Sequence, residues 1–118
     1  MFIQFQAVDL TGNMLTALPE NFFRFTPKLS SLLLPHNRLE AVDVDSMFRS
    51  NGALKVLDLS HNALRNVTIG WKSSLRALQS LSLSHNYLKD LRIEAQMPSL
   101  WRLEVSHNGL RNLSLQMG

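Results

Sequence analysis

Cysteine is absent from the 118 residues, which excludes disulfide bridges and every thiolate metal site. Long hydrophobic runs are missing too. No apolar stretch approaches the ~20 residues that cross a bilayer as a helix, so no membrane span is expected within the chain. The opening residues, Met1-Phe2-Ile3-Gln4-Phe5, lack the basic start and long apolar stretch of a signal peptide. Glycine is scarce, with five scattered residues, and forms no phosphate-cradling loop. Charge of one sign is not concentrated anywhere. Twelve Lys and Arg stand against nine Asp and Glu, for a net charge of +3. That balance favours solubility and a weak pull on acidic partners. It provides no basic stripe of the kind that binds nucleic acid.

What is present is a repeat. Asparagine recurs at Asn13, Asn37, Asn62, Asn86 and Asn108, at spacings of 24, 25, 24 and 22 residues. One frame surrounds each of them. The first unit reads Phe5, Val8, Leu10, Asn13, Leu15, and the second reads Leu29, Leu32, Leu34, Asn37, Leu39. The third has Leu54, Leu57, Leu59, Asn62 and Leu64, and the fourth has Leu78, Leu81, Leu83, Asn86 and Leu88. The last has Leu100, Leu103, Val105, Asn108 and Leu110. A period of this size is the mark of a solenoid, in which each unit buries its apolar face against the next. The L-x-L alternation has period two and sends those leucines inward from a short strand.

These residues match the pattern L-x-x-L-x-L-x-x-N-x-L, and the chain resembles the leucine-rich-repeat proteins over essentially its whole length. Leu18-Pro19 and Phe23 continue the first unit as in the 24-residue typical class. Later units drift to Val42 and Phe48, Val67 and Trp71, Leu91 and Met97. The expected fold is an α/β solenoid, a curved right-handed superhelix. A parallel concave sheet of about five short strands, spaced about 4.8 Å apart, faces irregular or short helical convex segments. The units run approximately over 5–28, 29–53, 54–77, 78–99 and 100–118 of a single domain, 1–118. The resemblance makes the five asparagines a structural ladder whose amides satisfy backbone groups of neighbouring coils. It makes the frame leucines and the later Phe, Trp or Met core. Family members outside the cell often carry cysteine-rich caps, and none is encoded here. Phe2, Ile3 and Phe5 stand at one end, and Leu113, Leu115, Met117 and Gly118 at the other. The expectation is a fragment without dedicated caps, prone to self-association through its ends.

Function should sit on the residues that the frame leaves free. Alternation turns the residues between the leucines outward, to the concave face. One column reads Ala7, Ser31, Val56, Ser80, Arg102, and the next reads Asp9, Leu33, Asp58, Ser82, Glu104. The binding candidates are Asp9, Leu33, Asp58, Ser82, Arg102 and Glu104. Trp101 joins them, because Trp and Arg are enriched at binding hot spots. The alternative role for Trp101 is to cover the C-terminal end. Arg38, Arg65, Lys89 and Arg111 form a looser basic ridge, read as a solvated face.

Histidine occupies one frame position in four of the five units, as His36, His61, His85 and His107, with Gly12 there in the first. A stacked column of imidazoles could sense pH around the unperturbed value of ~6.5. The plainer reading is that Ser-His-Asn is the turn sequence of the repeat. A metal site is not expected, for the column lacks carboxylate or thiolate partners. Asp58, Ser60 and His61 lie close in sequence. Asp58 and Ser60 both point outward along one strand, which does not place the histidine between them as a triad requires. No catalytic residue, metal or cofactor is therefore expected. Two sequences, Asn66-Val67-Thr68 and Asn112-Leu113-Ser114, fit the N-glycosylation rule, at an expected exposed turn of the ascending side. Together with the repeated L-S-H-N wording they resemble ectodomains of Toll-like receptors and secreted insect immune proteins. The function this implies is protein–protein recognition by an extracellular protein, with a receptor or innate-immune role. The alternative is an intracellular scaffold or regulatory subunit in the cytoplasm.

Overall fold

The structure, a computed structural model, describes residues 6–19 and 21–115. In chain order its elements are β1 (Ala7–Asp9), β2 (Ser31–Leu33), α1 (Val44–Met47), β3 (Val56–Asp58), β4 (Asn66–Ile69), β5 (Ser80–Ser82), β6 (Asp90–Ile93), β7 (Arg102–Glu104) and β8 (Asn112–Leu115). The L-x-L segments make β1, β2, β3, β5 and β7, which pair in parallel in that order as a five-stranded sheet. The register is that of the repeat: Val8 lies beside Leu32, then Leu57, Leu81 and Leu103. Leucine columns therefore stack inside the coil, and Leu32, Leu34, Leu57, Leu59, Leu81 and Leu83 are buried. This is the expected solenoid, with little helix.

The other side of the coil is built differently along its length. Phe23 and Phe48 fill it in the early units, their rings stacked at 5.7 Å. Asp43 starts α1 there by accepting from the Ser46 backbone N–H, a single-turn use of an N-cap residue. From the third unit on, β4, β6 and β8 form a second parallel sheet of three strands. Asn-Val-Thr-Ile and Asp-Leu-Arg-Ile alternate polar and apolar, and both strands alternate exposed and buried to match. Period-two alternation specifies a half-buried strand.

That second sheet corrects one expectation. Trp71 is not core: it is 73% exposed, with the Lys72 ammonium 4.9 Å from its ring centroid. Val67, Ile69 and Leu75 fill the interior of that unit instead. The strand has already placed two apolar side chains inward when the chain turns at Trp71. Frame residues of the end units are also incompletely covered. Val8, Leu10 and Leu15 are half-buried, Asn13 is exposed, and Leu113 and Leu115 are 53% and 44% exposed. Each solenoid coil is covered only by its neighbours. The positions assigned to Phe2, Ile3, Phe5, Met117 and Gly118 lie outside the described residues.

Candidate functional site

The rigid floor of the site is the asparagine ladder. Asn62 shows its chemistry. Its Nδ2 donates to the carbonyls of Leu34 in the preceding coil and Leu59 in its own. Its Oδ1 accepts from the Leu39 N–H, again one coil back. Asn37, Asn86 and Asn108 repeat the pattern toward Leu15, Leu64 and Leu88. An amide has two donors and an acceptor, so one buried side chain closes the turn and ties two coils together. Asn13 has no preceding coil among the described residues and donates to the Leu10 and Thr11 carbonyls of its own turn.

Above this floor the outward side chains form a low, polar surface. Register places Asp9, Leu33, Asp58, Ser82 and Glu104 in one column across the five strands. An open groove at its centre is lined by Leu33, Val56, Asp58, Ser82, Arg102 and Glu104. Five of the seven binding candidates thus meet in one depression. Asp9 and Trp101 stand outside it. Trp101 is 74% exposed. The carboxylates are internally engaged. Asp58 accepts from the Ser60 N–H and hydroxyl at 2.9 and 2.6 Å. Asp9 does the same with Thr11; the Thr11 hydroxyl, then its N–H, hold the Asp9 carboxyl below the usual value. Arg102 donates to Glu104, an exposed pair that adds little to stability. These local bonds fix the side chains in place before any partner arrives.

The histidines border the groove, and His61 and His85 line it. Their rings stack face to face, with centroids 4.2 Å apart at all three steps and planes within 16°. Each of the four has a left-handed backbone, with φ between 54° and 58°. Histidine is one of the few residue types enriched in that region, which gives the Ser-His-Asn turn a backbone reason. His85 sits between His61 and His107, and its pKa is held below the usual imidazole value. Its neighbours strip water from the ring, and charge on His107, His61 and His36 would oppose its own. Among the described residues, no cluster of three or more His, Cys, Asp or Glu is arranged to hold a metal. No helix there is long and apolar enough to cross a membrane.

The sequence reading missed the grouping on the second sheet. Asn66 and Asn112 are not in a turn; they are the first residues of β4 and β8. Both are exposed, on either side of Asp90 in the pairing register. The signal was the alternation at 66–69, 90–93 and 112–115, which recurs at the same place in three units.

A family model described as leucine rich repeat matches residues 27–88 and 52–110. Fibromodulin from Oryctolagus cuniculus is 35% identical over 108 residues, covering 92% of this chain and 71% of that protein. Toll-like receptor 10 from Bos taurus is 38% identical over 97 residues, which are 82% of this chain and 12% of the receptor. The solved leucine-rich repeat domain of APL1B superposes with a TM-score of 0.74 at 30% identity, covering 92% of this chain and 30% of that one.

Proposed function

The chain belongs to the leucine-rich-repeat family, and we propose that it is a non-catalytic module that recognises a protein partner through the outer face of its five-stranded sheet. The observation that carries this reading is the groove at the centre of that face, where Leu33, Asp58, Ser82, Arg102 and Glu104 converge. Each sits on a strand whose inward neighbours are fixed by the leucine frame. A surface ordered beforehand loses little conformational freedom on binding. The residues proposed to make contact are these five, with Asp9 and Trp101 at the margins. Serine hydroxyls and the apolar side chains of Leu33 and Val56 suit a polar polypeptide surface.

An extracellular setting with a receptor or innate-immune role is part of the proposal. The relatives that support it include a protein named as a Toll-like receptor, and the two glycosylation sequences agree with it. The test places a photo-crosslinking residue at Ser82 on the outer face, or at Gln96 on the far side, in the native protein. The expected result is a discrete protein adduct from position 82 that is lost when Arg102 and Glu104 are both replaced by alanine. Adducts of equal yield from both positions, or from position 96 alone, would overturn the assignment of the face.

A further inference from the structure

We infer that Asn66 and Asn112 are a matched pair of N-glycan acceptors, which makes the three-stranded sheet the sugar-bearing side of the coil. This rests on the extracellular part of the proposed function. The two sequons are not merely present in the sequence. Register puts Asn66, Asp90 and Asn112 side by side on the outer surface of β4, β6 and β8, and places Thr68, Arg92 and Ser114 in the next outward column. Asn66, Thr68 and Asn112 are exposed and Ser114 is half-buried, all on the outward side of the sheet. The two asparagines are two strands apart, a separation of about 10 Å at ordinary strand spacing. They leave room for two glycan stems that rise side by side.

Asp90 links them. Its Oδ1 accepts from Asn112 Nδ2 at 2.7 Å. Its Oδ2 accepts at 3.1 Å from Asn66 Nδ2, in the amide orientation that also lets that nitrogen donate to the Arg65 carbonyl. An amide nitrogen carries two hydrogens. Glycan transfer removes one of them as a proton. The nitrogen bonds C1 of an oligosaccharide carried on a polyprenyl diphosphate, and the diphosphate leaves with the bonding electron pair. At Asn66 the bond to the Arg65 carbonyl is given up, and at both sites the one remaining hydrogen can be donated to Asp90, which keeps the carboxylate bridge. The middle strand reads Asp-Leu-Arg where its neighbours read Asn-x-Thr/Ser. It has no acceptor of its own and supplies the anion that both linkages share. Bulky, solvated sugars belong on surfaces not used for packing. Their placement here leaves the five-stranded sheet open.

The experiment is intact-mass and peptide mass spectrometry of the native protein, before and after peptide N-glycosidase, which converts a glycosylated Asn to Asp. Glycans on both Asn66 and Asn112 are expected, with Thr68→Ala and Ser114→Ala each removing one. A native protein that carries no glycan, or only one of the two, overturns the proposal. Translation of the protein behind a cleavable signal sequence, with import into microsomes checked by removal of that signal, then locates the fault. Two glycans acquired there would indict the extracellular setting; fewer would indict the sites themselves.

Discussion

The two sides of the coil obey different rules. On the five-stranded sheet every unit uses inward leucine or valine at the same two positions and the same asparagine, and all five strands are three residues long. On the opposite side, two phenylalanines and a one-turn helix serve the early units, and four-residue strands serve the later ones. The difference teaches what sets the repeat. The sheet side must satisfy backbone groups buried between coils, and one residue type at one spacing does that. The opposite side has only to fill volume, and several combinations of Phe, Val, Ile, Leu and Met do so at native density.

The largest effect should come from attacking the shared side. Asn62→Ala leaves the Leu39 N–H without its partner and takes one of two donors from each of the Leu34 and Leu59 carbonyls, which keep Asn37 Nδ2 and Asn86 Nδ2. An orphaned buried donor costs about 1–3 kcal/mol and each further lost hydrogen bond about 1 kcal/mol, so a loss of about 3–5 kcal/mol is expected in denaturant titration. A loss below about 1 kcal/mol would show that the ladder is ornamental. On the variable side, Phe48→Ala removes a buried ring stacked on Phe23 and should cost about 3–4 kcal/mol by the same measurement.

Much of this was legible beforehand. The asparagine spacing located all five strands of the large sheet, because its inward leucines have no freedom to sit elsewhere. The frame also predicted a column of four histidines, one in each unit after the first. Their parallel contact at 4.2 Å was not legible, since it depends on four identical left-handed turns. The second sheet was hidden by reading Val67 and Leu91 as variants of the Leu-Pro continuation, when their neighbours already alternated. Trp71 was misplaced for the same reason: apolar character suggested core, but the strand before it had filled the space. The Asp90 bridge joins residues 22 to 24 positions away, and no local pattern announces it.

A smaller, pH-dependent effect belongs to the histidine column. In the fold His85 has a lowered pKa, so the folded chain binds fewer protons than the unfolded chain as pH falls through ~6.5. Stability should therefore fall below that value and level off above it. The thermal midpoint, followed from about pH 7.5 to 5, should drop, and His85→Asn should flatten the profile. An unchanged midpoint across that range would reduce the column to a turn sequence. Asp9 acts in a separate, more acidic window: its pKa is lowered, so its contribution disappears only as pH falls through the carboxylate range. Smallest of all is Trp71→Ala. Its ring is exposed, and the change should stay within about 0.5 kcal/mol. A cost like that of Phe48→Ala would restore Trp71 to the core.

The central claim is that recognition uses the outer face of the five-stranded sheet. It is tested most directly by the affinity of the crosslinked partner for two variants, Ser82→Arg in the groove and Gln96→Arg on the far side. The account predicts roughly tenfold or greater weakening for Ser82→Arg and binding within about twofold of the parent for Gln96→Arg. The reverse order, or unchanged binding with Ser82→Arg, would contradict it.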